Sequence, residues 1–303
     1  MERKLKLSTI LAAAAASLCV SVGATHAEPV CPSGGTIRFG VVPYEATALL
    51  QPAYKEIADL IARKTGCPVQ LSIATNYNAE IEAMRAGKLD IAEFGPLGYV
   101  LANKIARAEA VATFAGKDGR AATYTASIVT WPGSGIKTLA DVKGQSFAYS
   151  DPASTSGHLF PAFGLKKAGI DPHADVRALY AGSHTASYEA LRNRKVKAGE
   201  LNSSQIASAK LSNQYDPAAF VTLWQSEPIP IDPIAIRGDL PANVKARLTE
   251  VLSNLDFHEL SPGTQKFIAA ALGPALRTAP QTDAAYDVIR SLVSMLNIDL
   301  SKL

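Results

Sequence analysis

The chain is short of cysteine, methionine, tryptophan and net charge. Its 303 residues include 3 Cys, 3 Met and 2 Trp, and 30 Lys+Arg stand against 27 Asp+Glu. So even a balance offers no basic surface for nucleic acid or for an anionic membrane, and no nucleic-acid partner is expected. No His/Cys/Asp cluster has metal-ligand spacing, so no metal and no other cofactor are expected. The stretch Gly133-Ser134-Gly135-Ile136-Lys137-Thr138 lacks the glycine that a nucleotide-hydrolase phosphate loop sets before its lysine; Ile136 stands there. Ser154, His184 and Asp232 could be read as a hydrolase triad, but no Gly-x-Ser-x-Gly elbow surrounds Ser154. An exported hydrolase is therefore a distant alternative, and the protein is not read as an enzyme.

Near the N-terminus, the apolar run over residues 10–22 is too short and too Ala-rich for a membrane anchor. It follows Arg3, Lys4 and Lys6 and precedes Thr25-His26-Ala27, the order of a secretory signal peptide cleaved near Ala27. Neither Cys19 nor Cys31 follows the small residue that a lipoprotein site wants, so a soluble exported protein is expected. Without residues 1–27 the chain holds 27 Lys+Arg and 26 Asp+Glu, a charge of +1. Two cysteines remain, Cys31 and Cys67, each just before a strand-like run, 36–42 and 69–74. If those strands neighbour each other in a parallel sheet, both cysteines lie at one edge. An oxidising compartment then favours a disulfide.

Strand and helix patterns alternate. Strands are expected over 36–42, 69–74, 90–94 and 123–130, with helices over 46–65, 78–86 and 98–105. After the break at Trp131-Pro132-Gly133, a second series has strands at 146–149, 176–180, 198–201, 220–225 and 234–237, with helices between. Residues 241–303 read as mainly helical. This is an α/β class with parallel sheets covered by helices. Residues 84–95 echo residues 191–202 as helix, basic turn, short strand and polar strand end, which implies two lobes of similar build. In open α/β sheets ligands bind beyond the carboxyl ends of the strands, so two facing lobes make a cleft there.

The most informative segment is Tyr149-Ser150-Asp151-Pro152-Ala153-Ser154-Thr155-Ser156-Gly157. It joins a short strand to an apolar-periodic run at 158–168. Hydroxyls and free backbone N–H groups at a helix N-terminus make an anion site without a cation, and no Lys or Arg lies between Lys143 and Lys166. A plain Ser/Thr cap is the simpler alternative. Tyr77 begins a helix after a strand, Tyr124 lies in an apolar strand where packing is a rival role, and Tyr44 and Glu45 end the first strand. Glu93 ends another strand, before the turn Phe94-Gly95-Pro96. Asp232, between Ile231 and Pro233, needs a partner if buried.

With these pieces in place, the chain resembles the phosphonate- and phosphite-binding proteins of ABC importers, within the type II periplasmic binding proteins. The matching stretches are Arg85 to Pro96, Asp151-Pro152 with Ser154-Thr155-Ser156-Gly157, Ala181-Gly182-Ser183-His184, and Ile229-Pro230-Ile231-Asp232-Pro233-Ile234. The resemblance implies a two-lobed fold: residues 28–126 and 230–303 in lobe 1, 127–229 in lobe 2, and two crossing segments as hinges. It implies that Ser154 and Thr155 hold the oxyanion, with Ser156 beside them and His184, Tyr77, Tyr124 and Asp232 around it. Members that take 2-aminoethylphosphonate use a second carboxylate for the ammonium, and Ser204 stands at that position. Glu200 is the nearby candidate to replace it. The implied function is a periplasmic, monomeric binding component that hands phosphite or a short alkylphosphonate to the ABC transporter permease. 2-Aminoethylphosphonate, phosphate or another small anion is the alternative ligand.

Overall fold

The computed structural model describes residues 30–299, apart from Ser33 and Pro274. The proposed signal peptide lies outside the described residues. The first strands are β1 (Ile37–Val41), β2 (Val69–Ile73), β3 (Ile91–Glu93) and β4 (Ala108–Ala115). Between them run α1 (Thr47–Thr65), α2 (Tyr77–Arg85) and α3 (Pro96–Ala106). The chain then crosses over at β5 (Thr123–Tyr124) and continues through β6 (Ala126–Thr130), β7 (Ser146–Tyr149), α4 (Phe160–Lys167) and β8 (Arg177–Tyr180). The helices α5 (His184–Arg192) and α6 (Ser203–Leu211) flank β9 (Ala198–Asn202), and β10 (Val221–Gln225) follows. It returns at β11 (Ile229–Pro230) to β12 (Pro233–Arg237), α7 (Ala242–Leu252), α8 (Pro262–Ala271), β13 (Arg277–Pro280) and α9 (Asp287–Leu296).

One sheet has the order β13-β4-β12-β3-β1-β2 and the other β10-β6-β9-β7-β8. The two share a plan that the sequence echo anticipates. β3 pairs parallel to β1 and antiparallel to β12; β9 pairs parallel to β7 and antiparallel to β6. The expectation of parallel sheets is thus corrected to mixed ones. Strands that enter a lobe from the crossing segments arrive from the opposite direction, and only the β-α-β runs within a lobe give parallel pairs. The single strand expected over 123–130 is broken at Thr125. Residues on its near side pair with β11, as Tyr124 with Ile229, while Ala126 onward joins the second sheet. The two crossing segments therefore form a two-stranded ribbon between the sheets.

Cys31 and Cys67 are joined by a disulfide, with their Cα atoms 5.8 Å apart. The cause is the register: Ile37 lies opposite Val69 in a parallel pair, so the segments before both strands meet at one edge. The larger apolar core lies around the first sheet. It also takes in Ala153, Leu159 and Phe160 from the second lobe, so the lobes meet through packed apolar surface. No helix among the described residues is long and apolar enough to cross a membrane.

Candidate anion site between the lobes

The informative turn leaves β7 and enters a helix earlier than the periodicity suggests. Residues Thr155–Leu159 form a π-helical turn that runs on into α4. The Ser154 carbonyl accepts from the Leu159 N–H at 3.1 Å, and Ser154 Oγ accepts from the Gly157 N–H at 3.1 Å. Such wide turns are rare and concentrate at functional sites. Here the turn brings three consecutive hydroxyls, Ser154, Thr155 and Ser156, into a buried wall. Gly157 is required by space. A Cβ there would overlap Ser150 Oγ and lie 2.8 Å from His184 Cε1.

A cavity of about 30 Å³ lies between the lobes. That is room for a few heavy atoms. Lobe 2 lines it with Ser154, Thr155, Ser156, His184, Asn202 and Ser204. Facing them are Tyr44, Tyr77, Gly95, Ile231 and Asp232, with Tyr124 on the crossing ribbon and Ala271 and Leu272 at the end of α8. None of these residues is Lys or Arg. A larger cavity of about 270 Å³, lined by Lys166, Ile170, His173 and Leu296 among others, lies apart from this set. It has no convergent group of buried donors.

His184 is the first residue of α5, whose N-terminus Ser183 caps through the Ala186 N–H. Its buried ring is held at both nitrogens. Nδ1 lies 3.0 Å from Glu200 Oε1, and Nε2 lies 3.4 Å from Ser154 Oγ and 3.5 Å from Ser156 Oγ. Burial pulls the imidazole pKa down, but the charge and hydrogen bond of Glu200, helped by Glu45 and Asp232, more than reverse it. A protonated ring directs one N–H at Glu200 and the other at the serines, and Nδ1 also lies 3.1 Å from Asn202 Nδ2. Asn202 ties the corner together. Its Nδ2 donates to Ser156 Oγ at 3.2 Å, and its Oδ1 accepts from the Gln205 N–H at 2.7 Å as the cap of α6.

The opposite wall is acidic and aromatic. Burial pushes the Asp232 carboxyl up to about 7, with His184 pulling it back. The phenols of Tyr44, Tyr77 and Tyr124 are held well above their usual range, by burial first and by nearby carboxylates next. They are therefore neutral donors. Thr155 Oγ1 reaches across the cleft and accepts from the Leu97 N–H at 2.8 Å.

The residues singled out from the sequence separate into two groups. Tyr44, Tyr77, Tyr124, Ser154, Thr155, Ser156, His184, Ser204 and Asp232 all line the cavity. Glu45 and Glu200 are buried but are not among its lining residues. Glu200 faces His184 and Glu45 faces Thr185. Glu200 Oε1 is taken up by His184, while Oε2 is buried and makes no hydrogen bond among the described residues. Glu93 is not among the lining residues either; it is fully buried, beside Tyr54 and Asp232, with neither carboxylate oxygen within ordinary hydrogen-bond geometry of a partner. Asn202, Gly95 and Leu272 were missed. Asn202 had a usable signal, since Asn202-Ser203-Ser204-Gln205 has a helix-cap residue at a strand end. Leu272 had none, because its segment carries no motif.

Known proteins share this build. Residues 39–286 match the family model described as ABC transporter, phosphonate, periplasmic substrate-binding protein. The "Phosphate-import protein PhnD" of Mycolicibacterium smegmatis is 27% identical over 285 residues, covering 88% of each chain. A solved binding component of an ABC phosphonate transporter from Pseudomonas aeruginosa superposes with a TM-score of 0.75 at 25% identity, covering 86% of each chain. PhnD1 of Prochlorococcus marinus, solved with methylphosphonate, also gives 0.75, at 19% identity, covering 87% of this chain and 98% of that one. A buried oxyanion-sized cleft between two mixed sheets and a family match over most of its length place this chain among the periplasmic phosphonate substrate-binding proteins of ABC transporters.

Proposed function

We propose that the protein captures a small phosphorus oxyanion, phosphite or a short alkylphosphonate, and delivers it to the membrane permease of an ABC transporter. It works as a periplasmic monomer and breaks no bond. Hydroxyls and Asn202 would hold the oxygens, and the His184 imidazolium would supply the charge. The carrying observation is Asp232, a buried carboxyl across the cavity from those donors. A carboxyl beside an oxyanion is tolerable when one proton lies between them. A phosphorus acid that keeps a proton near neutral pH meets that demand, whereas sulfate does not. Ser204 adds no carboxylate and Glu200 is engaged by His184, which argues against an aminoalkyl ligand. Phosphate is the second reading, favoured by the mycobacterial relative's name.

The test is calorimetric titration of the parent and Asp232→Asn with phosphite, methylphosphonate, phosphate, 2-aminoethylphosphonate and sulfate at several pH values. The parent should bind phosphite or methylphosphonate about a hundredfold more tightly than sulfate. In Asp232→Asn, whose amide donates as well as accepts, that gap should narrow about tenfold or more. Tight sulfate binding by the parent would refute the role of Asp232. Tightest binding of 2-aminoethylphosphonate would refute the small-ligand reading.

A further inference from the structure

Glu45 is a buried carboxylate whose side-chain partners come from the opposite lobe. It follows β1, on the first sheet, and is 4% exposed. Thr185 Oγ1, on α5, donates to Oε2. The Gln205 side-chain amide, on α6, faces the same carboxylate; assigned with its nitrogen toward Glu45, as the surrounding hydrogen-bond network requires, it donates to the two oxygens at 2.8 and 3.2 Å. Backbone contacts frame the same spot. The His184 N–H donates to the Tyr44 carbonyl at 3.1 Å, and the Ala46 N–H donates to Thr185 Oγ1 at 3.2 Å. Residues 44–46 of lobe 1 thus grip residues 184–185 of lobe 2, beside the imidazole that faces the cavity.

We propose that Glu45 is a closure latch: a positioning residue that holds the lobes together and sets how long a ligand stays, without touching it. The proposal rests on reading the cavity as the anion site. Its physical basis is an asymmetry between closed and open lobes. With the lobes apart, the carboxylate, hydroxyl and amide are each hydrated. With the lobes together, they satisfy one another away from water, and hydrogen bonds to a charged acceptor are the stronger kind. Removing the charge leaves the buried Gln205 amide and the Thr185 hydroxyl with a poorer acceptor, a penalty that falls only on the closed state. The gripped backbone also ties lobe 1 to the first residue of α5, whose imidazole lines the cavity.

The experiment compares the parent with Glu45→Gln, Thr185→Val and the exchange pair Glu45→Gln/Gln205→Glu. Two readouts are taken: the lobe-to-lobe distance from spin labels on exposed positions of each lobe, and the dissociation rate of methylphosphonate by stopped flow. In Glu45→Gln, dissociation should accelerate about tenfold or more while association changes less than about threefold. The closed population should fall, and the exchange pair should return both readouts to within about threefold of the parent. Thr185→Val, which removes one donor at nearly constant volume, should shift them in the same direction by less, and serves if a change at 45 prevents folding. A Glu45→Gln protein with the parent's distance and dissociation rate overturns the latch, as does a folded exchange pair no better than the single change. If the parent binds no methylphosphonate, the ligand reading fails instead, and the distance measurement still judges the latch.

Discussion

Glu93 and Glu200 hold corresponding places in the two lobes. Each sits near the carboxyl end of the strand that lies between a parallel and an antiparallel neighbour, in the segments that echo each other in sequence. Both are buried. Glu200 has His184 at 3.0 Å, whereas both Glu93 oxygens are without a hydrogen bond, and burial, with Asp232 nearby, drives the Glu93 carboxyl well above the ordinary range. The residue that opens the helix after the preceding strand differs between the lobes, and only the histidine meets its glutamate. It is His184 behind the cap Ser183 in lobe 2 and Tyr77 behind the cap Asn76 in lobe 1. One scaffold position therefore holds a glutamate that raises the pKa of a facing imidazole, and the other a glutamate whose own carboxyl is pushed toward the neutral form.

The comparison breaks most visibly at the donors. Ser154→Ala and Thr155→Ala should each weaken oxyanion binding about ten- to a hundredfold, as expected for bonds to a charged group. Glu93→Gln should leave affinity within about twofold. Equal losses at the two walls, measured by calorimetry, would show that lobe 1 carries as much of the anion as lobe 2.

A smaller effect is expected from Glu200→Gln, which removes the charge that keeps His184 protonated. Affinity near neutral pH should fall about tenfold. The pH dependence fixes the cause. In the parent, the raised His184 pKa means that the imidazolium contribution is complete below the histidine's ordinary pKa and is lost as pH rises through the elevated folded value. In Glu200→Gln that loss should begin at lower pH. An NMR titration of the His184 ring that does not move between the two proteins would disprove the pairing role.

The smallest effects on ligand affinity are expected at the buried acids of lobe 1, whose changes act on stability instead. Glu80 resembles Glu93, with both oxygens buried and unbonded and a carboxyl raised well above normal, by burial first and then by Glu93 and Asp232. A carboxyl raised in the fold contributes stability below its unfolded pKa that is lost as pH rises through the folded one. Glu80→Gln and Glu93→Gln should therefore barely change thermal stability below the ordinary carboxyl range and should flatten the decline that sets in as pH rises above it. A parallel decline in parent and variants would assign it to other groups.

His158 and His184 show how much of the site could be read from residue types alone. Both are buried histidines close to the hydroxyl turn. His158 is pushed down to about 4 by burial, with Nδ1 on the Pro152 carbonyl at 2.7 Å and the Tyr180 hydroxyl at Nε2. His184 is pushed up because a carboxylate faces it. Nothing local in sequence separates these outcomes, since the carboxylate arrives from another strand. The strand Ala108–Ala115 was overlooked for a related reason. Its run of small alanines has weak strand preference by itself, and burial between β12 and β13 makes it a strand.

The sequence by itself determined what depends on neighbours along the chain. That covers the alternation of strands and helices, the caps at Asn76, Ser183 and Asn202, and the hydroxyl turn after β7. It also carried the repeated lobe plan and, through two strands of matched approach, the cysteine pair. Only the tertiary structure decided which carboxyl meets an imidazole, which stays neutral, and which closes on the other lobe. Those outcomes depend on desolvation and on charges brought within a few ångströms from distant parts of the chain, and neither quantity exists until the lobes have packed.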